Sequence, residues 1–295
     1  MASTLVRELL DAGIHFGHRS SRWNPKMSPF LYGKRNEIHI IDIRETLRGL
    51  LRGKKFITQT VGKGNDVLFV GTKRQAREIV QRHAERCGMP YVTERWLGGT
   101  LTNFRTIRSR LQRLEELEGL QASPEWDSGY SKKMKSMLIR EFTKIKRNLD
   151  GIRKMSRLPA TIIVVDVRKE LNCVRESRSV SIPTIGLVDS DSDPTLVDLP
   201  IPGNDDAMRS IELIMRELAD AVEEGKKARP ELPEPAEERE APAVGPRRRG
   251  VRRGEGEGRG ERFTRGPSGA PAEPTGQPAA APLDVGAAGG DVAPA

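Results

Sequence analysis

Three aspartates at alternate positions, Asp189, Asp191 and Asp193, follow the apolar run PTIGLVD in the stretch VDSDSDPT. Carboxylates beyond a buried strand could equip a magnesium-dependent phosphotransferase, one attacking phosphorus and a second moving the proton. The spacing also resembles a calcium loop, but Pro194 stands where that loop needs glycine. A turn in which Asp and Ser side chains satisfy local amides, with Pro194 fixing the backbone, makes fewer demands. No downstream lysine and acidic pair suits the completion of a phosphotransferase site. His15 and His18 are potential metal ligands, yet no HExxH or CxxC accompanies them. Packed or hydrogen-bonded histidines are the simpler expectation, and no metal or cofactor is expected.

A phosphate could be held by VLFVGTKRQA, where strand, turn and helix succeed one another and Lys73 and Arg74 stand at the tip. Amides at a helix start favour an anion. Neither GxxxxGK[ST] nor GxGxxG occurs, so the expectation is a grip on one phosphate, such as one in a nucleic-acid backbone. The alternative is a pair of solvated cations. GxSxG is also missing, and no nucleophile with an adjacent base stands out, so the expectation is a protein that is not an enzyme and takes no small-molecule substrate.

The segment LLDAGIHFGHRSSRWNPKM, Leu9 to Met27, offers different chemistry. Arg19, Arg22, Trp23, Lys26, Lys34 and Arg35 combine cations for phosphates with a ring for stacking, while Asn24-Pro25 and Ser28-Pro29 hold the chain extended. Such a surface suits structured RNA. Packing of Phe16 and Trp23 over a sheet edge would account for the rings but leave the cations.

These residues need a scaffold. NEIHIIDI, NDVLFVG, ATIIVVD and PTIGLVD are short apolar runs closed by turn residues, and amphipathic helical patterns separate them. Strands apolar on both faces alternating with helices predict an α/β fold with a covered parallel sheet. From Phe104 to Met155 the rhythm changes: Ile107, Leu111, Leu114 and Leu117, then Met134, Leu138, Phe142, Ile145, Leu149 and Ile152, recur at gaps of three and four. That seam predicts a helical hairpin inserted over 104–155, with Arg105, Arg108, Lys144 and other cations off the seam and able to lie along a phosphate backbone.

The 295 residues divide into a folded part, 1–225, and a Pro, Gly, Ala, Glu and Arg-rich tail, 226–295, too poor in apolar groups to offset its ordering entropy and expected to be disordered. A net charge of +9 and a pI near 9.7 point to a polyanionic partner. Two cysteines suit a reducing compartment, and the lack of a leader or a long apolar run predicts a soluble, cytoplasmic protein with no membrane partner.

With LLDAGIHFGHRSSRWNPKM come YGKRN, IHIIDI, LFVGTKRQA, RWLGGTLTNFRTIRSRLQRLEELE, LPATIIVVD, IPTIGLVDSDSDP and IPGNDDAMRSI, in that order. This series closely resembles the family of the second protein of the small ribosomal subunit, bacterial or organellar type, over roughly 5–225. The resemblance implies a flavodoxin-like, three-layer parallel sheet with a protruding coiled-coil hairpin. It implies a structural constituent of the small subunit that binds small-subunit rRNA late in assembly. It also implies neighbouring ribosomal proteins as partners, with support for docking the large ribosomal protein, protein one, that recruits messenger RNA. Carried over by motif, the RNA-binding candidates are Arg19, Arg22, Trp23, Lys26, Lys34 and Arg35 in the opening signature. Lys73 and Arg74 follow in the GTKR turn, then Arg95, Trp96, Asn103 and Arg105, with Arg108 on the hairpin. Family members usually carry threonine and asparagine before the SDP turn, where this chain has Ser190 and Asp191.

Overall fold

The structure is a computed structural model that describes residues 2–123, 126 and 129–228; the disorder expected of the tail concerns residues that, past Ala228, lie outside this range. Helix α1 (Ala2–Asp11) stops at Gly13, whose φ of +75° is costless without a side chain. The chain then forms an antiparallel ribbon of β1 (Phe16–Arg19), β2 (Leu31–Arg35) and β3 (Ile38–Ile41), with β3 in the middle. Two 3-10 turns, Ser20–Arg22 and Pro25–Phe30, join β1 to β2. IHIIDI is therefore a strand of this separate sheet, outside the parallel one.

Asp42 caps α2 (Ile43–Gly62) by accepting the Arg44 amide at 2.9 Å. β4 (Val67–Val70), α3 (Arg77–Arg86) and β5 (Tyr91–Val92) follow. The hairpin consists of α4 (Phe104–Ala122) and α5 (Lys132–Leu149), and the chain re-enters the sheet through β6 (Thr161–Val165), α6 (Leu171–Ser179), β7 (Thr184–Val188), β8 (Leu199–Pro202) and α7 (Met208–Lys227). The main sheet is parallel throughout, in the order β5-β4-β6-β7-β8. With β4 counted as first, this is the flavodoxin-like 2-1-3-4-5 order, whose switch point lies between β4 and β6.

Alternate residues of the strands feed opposite cores, as a pleat buried on both sides requires. Val67, Phe69, Ile163 and Val165 join the core under α1, α2, α3 and α7, while Leu68, Val70, Ile162 and Val164 join the other, with Met27, Ile107, Leu111 and Val174. Gly49 lets α2 approach β8: a Cβ there would stand 2.5 Å from the Pro200 carbonyl oxygen. The hairpin seam is buried at Ile107, Leu111, Leu114, Leu117, Leu149 and Ile152. Met134, expected in that seam, is 52% exposed, so the apolar seam does not reach the first turn of α5.

Candidate nucleic-acid interface

The ribbon gathers most of the expected RNA-binding side chains. Arg19 and Arg35 both pair in register with Ile38, from opposite sides of β3. A shared rung puts their side chains on one face, about 10 Å apart across two strand spacings. Lys34 pairs with His39 at the next position and so takes the other face. There Trp23 lies tilted against His39, with ring centroids 5.0 Å apart, so one side of the indole is already covered. Arg19, Arg22, Lys34 and Arg35 are exposed and have no carboxylate partner among the described residues. Lys26 differs: its ammonium meets Asp193 Oδ2 at 2.5 Å and Thr195 Oγ1 at 3.3 Å, pinning the second 3-10 turn to the SDP turn.

Ser190 fastens the whole ribbon to the end of β7. Its Oγ accepts the His18 amide and its carbonyl accepts the Asn24 amide, both at 2.8 Å. A side chain at Gly17 would collide with Ser190, because its Cβ would stand 2.7 Å from the Oγ. Asp191 takes Arg168 at 2.8 Å and the Ser192 hydroxyl at 3.0 Å. Asp193 accepts the Thr195 amide at 3.0 Å. Asp189 and Asp193 thus accept neighbouring amides as a local turn requires, whereas Asp191 turns to the distant Arg168.

The carboxyl ends of the strands carry the principal correction. Lys73 does not reach outward for phosphate: its ammonium sits 2.6 Å from Asp205 Oδ1, 2.6 Å from Asp206 Oδ1 and 3.5 Å from Asp166 Oδ2. Burial alone would lower its pKa, but these carboxylates hold it above the ordinary lysine value. The Thr72 amide is likewise taken, since buried Glu170 accepts it at 3.1 Å together with the Thr72 hydroxyl. Of the GTKR turn only Arg74 remains exposed and without a carboxylate. His18 Nδ1 lies 3.2 Å from Asp189 and Nε2 lies 3.3 Å from Asp206. His18, Asp189 and Asp205 could each offer one atom to a metal, their ligand atoms lying within 4.8 Å of one another. In this arrangement the Lys73 ammonium already supplies the counter-charge. His15 is apart from this set, its ring against Phe16 at 4.1 Å.

The hydrogen bond to Asp189 raises the His18 pKa to about 9, with Asp191 and Asp205 adding attraction, whereas burial raises Asp205 to about 7. A histidine raised in the folded state contributes stability that is complete below its unfolded value, about 6.5, and is lost as pH rises through about 9. Asp205 acts in the same direction at lower pH. Allowing for solvent screening at a partly exposed ring, unfolding free energy should drop by roughly 1–2 kcal/mol between those limits. Urea unfolding at pH 6, 7.5 and 9 checks this, and His18→Gln should flatten the upper part of the profile.

RWLGGTLTNFR is organised by a residue that sequence reasoning missed. Glu176 on α6 accepts Trp96 Nε1 at 3.1 Å, Gly99 N at 2.9 Å and Leu101 N at 3.0 Å, with Thr102 N and its hydroxyl each at 3.4 Å. Burial opposes its ionisation, but these donors outweigh burial and lower its pKa. Gly99 enters the loop at φ +89°, left-handed backbone that glycine adopts freely. Trp96, one of the expected RNA-binding residues, is enclosed in the core at 8% exposure. Asn103 accepts the Thr106 hydroxyl at 2.8 Å, and Arg108 donates to the Ser156 carbonyl at 3.2 Å. Arg95 and Arg105 stay exposed. A lone glutamate on a helix distant in sequence carries no signal that would have revealed Glu176.

Fold and site together define a flavodoxin-like α/β domain whose strand-end crevice is filled by its own ion pairs, and whose unpaired cations sit on an attached ribbon and at the base of a helical arm. The chain belongs to the ribosomal protein S2 family, whose profile matches residues 9–225. It is 62% identical over 226 residues to the small ribosomal subunit protein uS2 of Rhodopirellula baltica, covering 77% of this chain and 86% of that one. With the uS2 proteins of Corynebacterium glutamicum strain R and Acidothermus cellulolyticus it shares 50% identity over 231 and 229 residues; each match covers 78% of this chain, and 88% and 83% of the relatives.

Proposed function

We propose that this protein is a non-catalytic structural constituent of the small ribosomal subunit, working in the cytoplasm. It binds small-subunit rRNA late in assembly, contacts neighbouring ribosomal proteins, and supports docking of the protein that recruits messenger RNA. The observation that carries the RNA reading is the set of exposed cations without carboxylates on one ribbon, Arg19, Arg22, Lys34 and Arg35, beside the half-covered ring of Trp23. Arg74, Arg95, Arg105 and Arg108 extend it. Guanidinium groups fixed on strands and turns position a phosphate backbone with little entropy left to lose. The phosphotransferase alternative fits poorly, because Asp189 is committed to His18, to the Ser190 amide and, at 3.4 Å, to the Asp205 amide. Among the described residues no helix is long and apolar enough to cross a membrane.

Arg19→Glu combined with Arg22→Glu tests the reading. The double variant should be depleted from small subunits in a sucrose gradient while its unfolding free energy stays within about 0.5 kcal/mol of wild type, as befits exposed positions. Its RNA affinity should depend less steeply on salt, by roughly 0.7–0.9 in logarithmic slope for each phosphate that is no longer neutralised. Undiminished incorporation would place the ribbon away from RNA.

A further inference from the structure

Helix α2 carries charge that none of the contacts described above uses. Arg44, Arg48, Arg52 and Lys55 follow one another at gaps of four, four and three, so they form one exposed stripe along the helix. Arg48 is paired with Glu45, whereas Arg44, Arg52 and Lys55 have no carboxylate partner among the described residues. Leu51 stands within the stripe, 54% exposed. A different side of α2 is fastened to α7: Lys54 meets Glu217 at 2.8 Å, the Thr58 hydroxyl donates to the Ala221 carbonyl at 3.2 Å, and a Cβ at Gly225 would stand 2.9 Å from the Val61 Cβ. These partners advance together, so the two helices run parallel and end side by side. The chain therefore leaves α7 next to the last turn of α2.

What leaves it is the sequence RPELPEPAE, residues 229–237, just past the described range. Glu231, Glu234 and Glu237 recur every third residue among Pro230, Pro233 and Pro235. Polyproline II, which prolines favour, has roughly three residues per turn, so such a course would bring these carboxylates to one side. The reach agrees as well. At about 3.1 Å per residue Glu231 lies about 12 Å beyond Lys227, and at about 1.5 Å per helical residue Lys55 lies about 10 Å back from the end of α2. From Glu231 to Glu237 is then about 19 Å, against about 16 Å from Lys55 to Arg44. We propose that the acidic segment 231–237 turns back over α2 and covers its basic stripe, with Glu231 against Lys55, Glu234 against Arg52 and Arg48, and Glu237 against Arg44. Leu232 gives the exposed Leu51 an apolar neighbour, which a phosphate backbone does not offer. A tether this short holds the segment at a local concentration on the order of millimolar, so an anion from solution must outcompete it. The segment acts as a built-in competitor that keeps stray polyanions off α2.

The test follows modification of Arg44 and Arg52 by phenylglyoxal, residue by residue in a mass spectrometer, in the full chain and in its Glu231→Gln, Glu234→Gln, Glu237→Gln variant. These substitutions lie beyond α7, so the folded domain itself is untouched. At low salt, about 50 mM, both arginines should react about three- to fivefold faster in the variant, a modest factor because exposed ion pairs are individually weak. At about 0.5 M salt the difference should vanish, since screening then removes the attraction. Arg35 on the ribbon is the control and should react alike in both chains. Equal rates for Arg44 and Arg52 at low salt overturn the proposal, and so does an Arg35 rate that rises as much as theirs. If the two chains react alike and only an added rRNA transcript slows the reaction, the stripe faces RNA and the segment does not cover it. Protection that grows with protein concentration overturns the proposal too, because a second copy would then supply the cover.

Discussion

Lys73→Met should lower the unfolding free energy by about 3–5 kcal/mol near pH 7.5, the largest loss expected of any single substitution at the strand ends. Methionine keeps much of the volume, so packing is not the cause. The loss comes from Asp205 and Asp166, which face the ammonium at 2.6 and 3.5 Å and would be left with like charges for neighbours. Burial already lifts Asp205 to about 7, and without the ammonium its folded pKa must climb further. A carboxyl group raised in the folded state binds more protons folded than unfolded, so the variant sheds stability as pH rises and regains part of it on acidification. The deficit against wild type should therefore shrink from pH 8 towards pH 5, as followed by urea unfolding. A deficit independent of pH would mean that shape, not charge, decides this position.

Glu176→Ala should cost about 3 kcal/mol, because one truncation strips the acceptor from the buried Trp96 indole and from the Gly99 and Leu101 amides. Orphaned buried donors cost about 1–3 kcal/mol each, and partial access of water keeps the total below their sum. The damage should be local as well as global. Limited proteolysis should open the 96–103 loop before the sheet, and the start of α4, which that loop delivers, should fray with it. Glu176→Gln retains an acceptor oxygen but turns an NH₂ group towards donors, so it should fall between wild type and alanine. If alanine is tolerated without a change in midpoint or cleavage pattern, the loop is held by something other than this carboxylate.

The central strands were legible because β4, β6 and β7 are continuous apolar runs, which a sheet buried on both faces demands. The edges were not. β5 is two residues long, and β8 reads LPIP, a sequence that argues against a strand unless it lies at an edge, where β8 is found. Of the opening ribbon only β3 was legible, as the run IHII; β1 and β2 are short, largely exposed and broken in register at Phe16/Arg19 and Leu31/Gly33, so no clean alternation survives in them. At the interface, the identity of the cations could be read directly, but not which of them are available. Lys73 and Arg74 are adjacent in sequence, yet only Lys73 meets carboxylates, and those come from the ends of β6 and β8. Trp23 and Trp96 look equivalent in sequence, yet Trp96 joins the core with its indole bonded to Glu176, while Trp23 lies partly exposed against His39.

The fastening of the ribbon by Ser190 joins residues 172 positions apart. During synthesis the amino-terminal segment must leave the exit tunnel and wait for its docking partner, roughly 10–35 s at 5–20 residues per second. Until then the signature carrying Arg19, Arg22 and Trp23 lacks its fastening to the parallel sheet, so a nascent chain or a fragment truncated before β7 carries the ribbon without that anchor. The ribbon is thus anchored only after β7 has been made, a built-in delay between the synthesis of its first residues and their attachment to the sheet.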